Sequence, residues 1–234
     1  MSQCVTLSFF RFDSLKDRLW AFAMMGLARG PLSRIAGLGF WKLCGSGTGE
    51  GFTPVPNWGV YAILACWPDE TVAKANISGS GVFQRYQTHA DEHFTVFLRT
   101  TSAQGAWSGC KPFSAQEACD GPLAALTRAT IKPRIALQFW RRVPDISQVI
   151  GSDPNVAFKI GIGEVPLLHQ VTFSIWPDAK SMANFARKDG PHARAIAAVR
   201  NGNWFREELY ARFVVTDTLG TWNGRAPLAQ MAAA

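Results

Sequence analysis

The sequence predicts an α+β fold in which one chain contains two copies of the same β-α-β-β-α-β unit. Three observations support this fold class. The 234 residues and the hydrophobic content of 47% are enough to bury a large core. Short strings from the first half recur in order in the second half. Strand and helix patterns also follow one another in the same order in both halves.

Four strings carry the internal match, and they keep their order at offsets of about 110 to 120 residues. The two clearest pairs are Trp67-Pro68-Asp69 with Trp176-Pro177-Asp178, and Gly105-Ala106-Trp107-Ser108-Gly109 with Gly220-Thr221-Trp222-Asn223-Gly224. Looser matches join residues 40–43 to 157–160 and residues 7–12 to 126–131. Ordered matches of this kind indicate an internal duplication.

The elements of the first half can be predicted in order along the chain. Hydrophobic patterns predict strands at residues 6–12, 39–44, 60–66 and 94–102. Ser14 and Asp17 have the spacing of a capping box, so we expect a helix to begin there and to stop before Gly30-Pro31. Asp69 is the predicted N-cap of a second helix. The second half repeats this pattern, with its last two strands at residues 170–175 and 209–216.

Strand, helix, strand, strand, helix, strand is the ferredoxin-like unit, whose antiparallel sheet has helices on one face and leaves the other bare. Two fused ferredoxin-like repeats can bury their bare faces against each other, which predicts a dimeric α/β-barrel-like sandwich within one chain. We expect residues 1–112 to form the first repeat, 113–122 a linker, 123–226 the second repeat and 227–234 a flexible C-terminal tail.

The composition indicates which partners the chain is suited to bind. Charged residues make up 18% of the chain, below the roughly 25% of an average domain, and nine Trp and 16 Phe favour a large apolar cavity or surface. The net charge of +7 suits an anionic membrane face better than a nucleic acid, because the basic residues are scattered and no nucleic-acid-binding motif accompanies them. Five cysteines without short paired spacing, and apolar runs too short to span a bilayer, predict a cytoplasmic protein that contacts a membrane from outside.

Two histidines of the second half are candidate site residues. Gly190-Pro191-His192 opens a predicted helix, and the positive end of the helix dipole would keep the His192 imidazole neutral and available as a metal ligand. His169 begins a predicted strand in phase with Val171 and Phe173, which predicts a second, catalytic side chain on the same interior face. A core histidine bonded to a backbone carbonyl is an equal alternative for His169.

No carboxylate pair, Ser-His-Asp set or cluster of metal ligands stands out in the sequence, so hydrolytic and non-haem iron chemistry lack their residues. Chemistry would therefore require a cofactor. Haem fits, because one neutral histidine can hold the iron while an apolar pocket holds the rest, and this places the haem site in the second repeat. Arg134, Arg141 and Arg142 are predicted to pair with the haem propionates, and a solvated basic face is the alternative.

Longer strings carry a resemblance to a known family. They are VTLSFFRF (5–12), GLGFWKL (37–43), GTGEGFTPVPN (47–57), PLAALTRATI (122–131), DPNV (153–156), FKIGIGEVP (158–166) and HQVTFSIWPD (169–178). Through these strings, which are spread along nearly the whole chain, the sequence resembles the spheroidene monooxygenases, the acyclic-carotenoid ketolases of purple photosynthetic bacteria.

The resemblance implies an oxidoreductase that contains haem b and uses O2 and reduced ferredoxin to introduce a 2-keto group into acyclic methoxylated carotenoids. Spheroidene would become spheroidenone by two successive hydroxylations at one carbon, followed by loss of water from the geminal diol. It also implies a carotenoid substrate and peripheral contact with the inner, photosynthetic membrane. Self-association into a homo-oligomer is left open.

Three other functions are compatible with the same predicted fold. They are a haem-binding or haem-degrading protein of the dimeric α/β-barrel type, a cofactor-free oxygenase and a non-catalytic carotenoid-binding protein. Bound haem without a ketone product favours the first, product without haem favours the second, and bound pigment with neither favours the third.

Overall fold

Eight strands close into one antiparallel barrel in the computed structural model, which describes residues 2–51, 53–117, 119–141, 156–178, 181–182 and 204–228. The strands are β1 (Cys4–Arg11), β2 (Trp41–Gly47), β3 (Pro56–Trp67), β4 (Glu92–Gly105), β5 (Leu123–Ile131), β6 (Phe158–Gly163), β7 (His169–Trp176) and β8 (Phe205–Gly220). Their order around the barrel is β1-β3-β2-β6-β7-β5-β8-β4. The predicted α+β class with antiparallel sheets is therefore confirmed.

Each half of the chain contributes four neighbouring strands in the same order. In both halves the fourth strand pairs with the first, the first with the third and the third with the second. Two seams between the halves close the barrel. One is the long pairing of β4 with β8, and the other is the short pairing of β2 with β6.

Helices cover the outer face of the first half. They are α1 (Leu15–Leu27), α2 (Arg29–Ser33), α3 (Glu70–Gly79) and α4 (Gly81–His89), and a 3₁₀ turn at Pro133–Ile135 leads into helical residues 136–141. Ser14 caps α1 by accepting a bond from the Asp17 amide, and Asp69 caps α3 by accepting one from Val72, as predicted. The predicted helix does end before Gly30-Pro31, but these residues form α2 because proline is tolerated in the first turn of a helix.

Two hydrophobic layers follow from the alternation of side chains along the strands. Phe9, Phe94, Phe158 and Phe173 belong to the cluster inside the barrel, which draws on both halves of the chain. Phe10, Phe12, Tyr61 and Ile63 point to the other face, where the helices of the first half cover them. None of the helices in the described part of the chain is long and apolar enough to cross a membrane.

The repeated Gly-x-Trp-x-Gly strings form two turns with matching contacts. Trp107 pairs through its backbone with Cys110 after β4, and Trp222 pairs in the same way with Arg225 after β8. The Glu207 carboxylate of β8 accepts hydrogen bonds from the backbone amides of Ser108 and Gly109. The Glu92 carboxylate of β4 accepts them from the amides of Asn223 and Gly224. These contacts agree with the predicted duplication. The duplication itself stays a prediction, because residues 142–155 and 183–203 lie outside the described residues.

Candidate active site

A cluster of charged side chains lies at one end of the barrel, where β5 and β6 finish and β7 and β8 begin. We call it the charge cluster, and it consists of Lys42, Arg128, Glu164, His169 and Glu207. Lys42 is the only member from the first half, although Trp107 of the first turn also reaches into the cluster. The site is therefore assembled from both halves.

Arg128 is the most deeply placed charge of the cluster, with only 1% of the residue exposed. Its guanidinium forms an ion pair with Glu207, lies 3.8 Å from Glu164 Oε2 and sits over the Trp107 ring at 5.6 Å from the centroid. Its Nε is buried without a hydrogen bond. A buried guanidinium is tolerated only when it is paired, so these contacts hold a positive charge fixed inside the barrel end.

Glu164 links the cluster together. Its Oε1 forms an ion pair with Lys42 Nζ at 2.9 Å, and its Oε2 accepts a hydrogen bond from Trp107 Nε1 at 2.7 Å. Burial by itself raises the pKa of Glu164, but the bonds from Lys42 and Trp107 outweigh burial and hold the pKa below its usual value. Glu164 is therefore ionised at neutral pH.

His169 begins β7, and its side chain is 24% exposed. Its Nδ1 is buried and lies 3.4 Å from Glu164 Oε2, without the geometry of a hydrogen bond. Burial lowers the pKa of His169, and the nearby Glu164 carboxylate only partly offsets this effect. The imidazole is therefore neutral at pH 7. Val171 and Phe173, with which it was predicted to be in phase, do lie in the barrel interior.

An apolar pocket of about 290 Å³ opens beside the cluster, and His169 and Glu164 form part of its wall. The other walls come from α1, from the end of β2, the start of β3 and the connection between them, from residues 162–170 and from Trp140. Large side chains in these walls are Phe22, Met25, Trp58, Tyr61, Trp140 and Leu167. The pocket is near the lower end of the range for small-molecule sites, roughly 300–1,000 Å³, and combines apolar walls with a few polar groups.

A second crevice of about 740 Å³ lies elsewhere, between the segment 112–117 and residues such as Phe40, Trp67 and Arg99. It is larger than the apolar pocket, but no member of the charge cluster lines it. We assign the candidate site to the smaller pocket because that pocket contains a neutral histidine beside a fixed carboxylate.

Of the three predicted site residues that the structure describes, only His169 lies in the pocket. His169 lines it, whereas Arg134 and Arg141 are exposed on the segment that also carries the pocket residue Trp140. Neither arginine belongs to the charge cluster. His192 and Arg142 lie outside the described residues, so their predicted roles as iron ligand and propionate partner stay predictions.

Four members of the cluster, Lys42, Arg128, Glu164 and Glu207, were not predicted from the sequence. A signal for Arg128 was present, because it lies in phase with Ala124 and Leu126 on the buried face of an apolar strand. A charge at such a position requires a partner. Nothing in the sequence identified that partner. Within the described residues, no three side chains of His, Cys, Asp or Glu form a group that could hold a metal ion.

Comparison with known proteins places the chain in a family. The sequence is 51% identical over 231 residues to the spheroidene monooxygenase of Cereibacter sphaeroides, with 97% of this chain and 71% of that protein covered. It is 50% identical over 228 residues to the spheroidene monooxygenase of Rhodobacter capsulatus, with 96% and 95% covered. The chain belongs to the spheroidene monooxygenase family.

A spheroidene monooxygenase of Rubrivivax gelatinosus is more distant, at 35% identity over 209 residues, with 89% of this chain and 80% of that protein covered. No protein-family model matches the chain. Among solved structures, an aldoxime dehydratase in complex with butyraldoxime superposes with a TM-score of 0.57 at 10% identity, covering 92% of this chain and 80% of that one. At 10% identity, the similarity to the aldoxime dehydratase shows only that the two proteins share a fold.

Proposed function

We propose that the chain is a haem-dependent carotenoid monooxygenase that converts spheroidene to spheroidenone. Each of two successive hydroxylations at one methylene consumes one O2, two electrons and two protons and releases one water. The resulting geminal diol loses water and leaves the 2-keto group. Reduced ferredoxin is the proposed electron donor. The family relationship supports the overall reaction.

One structural observation carries the proposal. The pocket combines apolar walls with a single neutral histidine, His169, that lies beside an ionised carboxylate. Such walls suit the largely apolar, methoxylated end of the carotenoid, because apolar surface gains free energy by leaving water. A pocket of this size admits the end of the substrate, and the remaining polyene would extend through the mouth.

The pocket chemistry supports the haem proposal through one residue only, His169, because the proposed iron ligand His192 lies outside the described residues. His169 is neutral, and its buried Nδ1 lies 3.4 Å from the Glu164 carboxylate without a hydrogen bond, so it is a polar group that could face a bound cofactor without being the proposed iron ligand. In the proposal, His192 would hold haem b, and Arg134, Arg141 and Arg142 would pair with its propionates. When bound, haem supplies the activation of O2 that an unactivated C–H bond requires.

The residues of the chain itself have three proposed tasks. The apolar walls orient the substrate end and exclude water from the reacting methylene. Glu164, fixed by Lys42 and Trp107, places a negative charge 3.4 Å from the Nδ1 of His169. His169 touches the pocket and is neutral at pH 7, so it can take up or give a proton at the site where oxygen is reduced. Arg128 and Glu207 support this arrangement from inside the barrel.

The proposal is tested by expressing the protein with a supply of haem. Visible spectra are recorded in the oxidised, reduced and carbon monoxide forms, and turnover of detergent-dispersed spheroidene is followed by chromatography. We expect a Soret band in the wild type that collapses or shifts in His192→Ala but survives in His169→Ala. We also expect the ketone yield of His169→Ala to fall at least about 100-fold, the usual size of an acid–base contribution.

His93→Ala is the matched control, because His93 lies on β4 and does not line the pocket. Its spectrum and its turnover should both match those of the wild type. A wild type without any haem band would overturn the haem mechanism, and haem binding without a ketone product would overturn the monooxygenase assignment. Full turnover by His169→Ala would remove His169 from the mechanism.

A further inference from the structure

Exposed apolar side chains are concentrated at the mouth of the apolar pocket. Phe22 and Trp58 are each 53% exposed, Leu167 is 46% exposed and Val165 is 40% exposed, and all four line the pocket. The Phe22 and Trp58 rings contact each other, with centroids 5.0 Å apart. Exposed apolar patches around a binding site mark surfaces that contact another apolar body.

Helix α1 extends this patch away from the mouth. Leu15 and Leu19 are 73% and 58% exposed, and with Phe22 they follow the i, i+4, i+7 spacing of one helix face. The opposite face holds the buried Met24. Helix α1 is therefore apolar on both sides, and its outer side has no covering element among the described residues. We call Leu15, Leu19, Phe22, Trp58, Val165 and Leu167 the apolar rim.

Exposed cations are carried by the elements that bear the rim or lie next to it. They are Lys16 in α1, Arg29 and Arg34 in and after α2, and Arg134 and Arg141 beside Trp140 of the pocket wall. None of the five forms an ion pair with a described residue. Two acidic groups of the same region are engaged elsewhere, since Asp17 contacts Ser14 and His89, and Glu50 contacts Lys159. The exposed Asp13 before α1 offsets one of the five positive charges. An apolar rim with unpaired cations around it complements an anionic lipid surface.

We propose that the apolar rim docks onto an anionic lipid bilayer and that the pocket thereby opens directly onto the hydrocarbon layer. The inference rests on the proposed function for the nature of the substrate, because a long carotenoid dissolves in the bilayer and not in water. Docking in this orientation lets the substrate end enter the pocket without crossing water. The exposed Trp58 suits the bilayer interface, where aromatic rings of this kind accumulate.

Docking is tested with vesicles that contain no carotenoid. Co-sedimentation is measured with phosphatidylglycerol–phosphatidylcholine vesicles and with phosphatidylcholine vesicles alone. We expect the wild type to bind the anionic vesicles more tightly, and more weakly as salt is added. The double variant Leu15→Ser, Leu19→Ser should lower the partition coefficient at least about tenfold, because two large apolar side chains no longer enter the bilayer.

Leu219→Ser is the matched control, since Leu219 is 42% exposed on β8 and does not line the pocket. It should bind vesicles as the wild type does. Circular dichroism and the thermal midpoint of each variant show whether it is folded, and Leu15 and Leu19 are exposed enough for serine to be tolerated. If the double variant does not fold, the charge variant Lys16→Gln, Arg29→Gln, Arg34→Gln must weaken binding to anionic vesicles only.

Three outcomes would overturn the docking proposal. The first is a wild type that does not bind anionic vesicles, and the second is a double variant that binds them as well as the wild type does. The third is a wild type that forms a stable dimer and does not bind vesicles, together with a double variant that is monomeric. The last result would make the rim an interface between two copies of the chain. Turnover of detergent-dispersed spheroidene by the wild type is measured separately, so the docking proposal and the proposed reaction can fail independently.

Discussion

Arg128 and Arg11 occupy matching places, and their surroundings differ in a way that matters for stability. Each pairs with a glutamate of the last strand of a half and lies over the Trp of a Gly-x-Trp-x-Gly turn. The Arg11 side chain is 27% exposed, whereas that of Arg128 is 2% exposed. Water reaches the Arg11 guanidinium and screens it in part, whereas it hardly reaches the Arg128 guanidinium. The arginine–glutamate pair therefore contributes differently to the free energy of unfolding at the two positions.

Removing the guanidinium at the two positions should have unequal effects. Arg128→Met leaves Glu207 without its buried counter-charge and Glu164 with Lys42 alone, and we expect it to lower the free energy of unfolding by about 3–5 kcal/mol. Arg11→Met should cost less, about 1 kcal/mol, because water reaches the Arg11 side chain and Glu92 keeps its bonds from the Asn223 and Gly224 amides. Urea denaturation followed by tryptophan fluorescence measures both values. Equal losses would show that burial of Arg128 does not control the stability of the cluster.

The protonation of His169 can be measured directly. Because burial lowers its pKa and Glu164 partly offsets this, we expect the His169 ring to titrate below 6.5 in a histidine NMR experiment. In Glu164→Gln the carboxylate is absent, so the pKa of His169 should fall further. The His169→Gln spectrum assigns the resonance. An increase of the pKa in Glu164→Gln would contradict the proposed contact between the two side chains.

The lowered pKa of His169 also sets a direction for stability. Between the folded-state pKa and about 6.5, the unfolded state binds more protons than the folded state, so this histidine lowers stability as the pH falls below about 6.5. Glu164 acts at lower pH. Its folded-state pKa is lowered, so the stability that it contributes is present above its unfolded pKa and is lost as the pH falls through the folded-state value.

At the scale of elements, the two seams of the barrel differ in length. Strands β4 and β8 pair from Phe94 with Gly220 to Gly105 with Leu209, whereas β2 and β6 pair only at Gly45 with Gly163 and Ser46 with Ile162. Close packing of glycines supports the short seam. Gly51 has a positive φ of 89°, and a Cβ there would lie 1.8 Å from the Gly161 carbonyl oxygen.

A methyl group at Gly51 should therefore open the short seam. We expect Gly51→Ala to lower the free energy of unfolding by about 2–3 kcal/mol, because alanine is strained at this φ and collides with backbone atoms. Gly45→Ala is the matched control on the same seam, since nothing lies within 4 Å of a Cβ at that position. Thermal unfolding of both variants provides the comparison. An unchanged thermal midpoint for Gly51→Ala would mean that the pairing of β2 with β6 contributes nothing to the free energy of unfolding.

At the scale of the whole molecule, the interior of the barrel belongs to neither half alone. The Phe9 ring of β1 lies 5.1 Å from Phe158 of β6 and 6.0 Å from Phe173 of β7, between centroids. Phe94 of β4 also contacts Phe158, at 5.2 Å. Separating the halves would expose these rings to water, at a cost of about 25 cal/mol for each Å² of apolar area.

We expect neither half to persist as a folded monomer. Residues 1–112 and 123–234 can be expressed separately and examined by size-exclusion chromatography and circular dichroism. Each fragment should aggregate or pair with a second copy of itself, because its inner sheet face is apolar, and mixing the two during refolding should restore the native spectrum. A monomeric fragment that unfolds cooperatively would contradict the shared core.

Local sequence determined the described strands and the starts of α1 and α3 to within a few residues. Period-two patterns located the strands of the first half, and the side chains of Ser14 and Asp69 marked the beginnings of α1 and α3. These features depend on residues a few positions apart, so they can be read without knowing the fold. The phase of β7 likewise placed His169 on the pocket wall.

Only the tertiary structure decided the composition of the site. Glu207 and Arg128 are separated by 79 residues along the chain, and Glu164 and Trp107 by 57. No local pattern specifies such pairs, because they depend on which strands become neighbours when the barrel closes. The same closure left Arg134 and Arg141 exposed, and it brought Lys42 from the first half to a carboxylate of the second. Strand pairing over long sequence separations thus determined which charges meet.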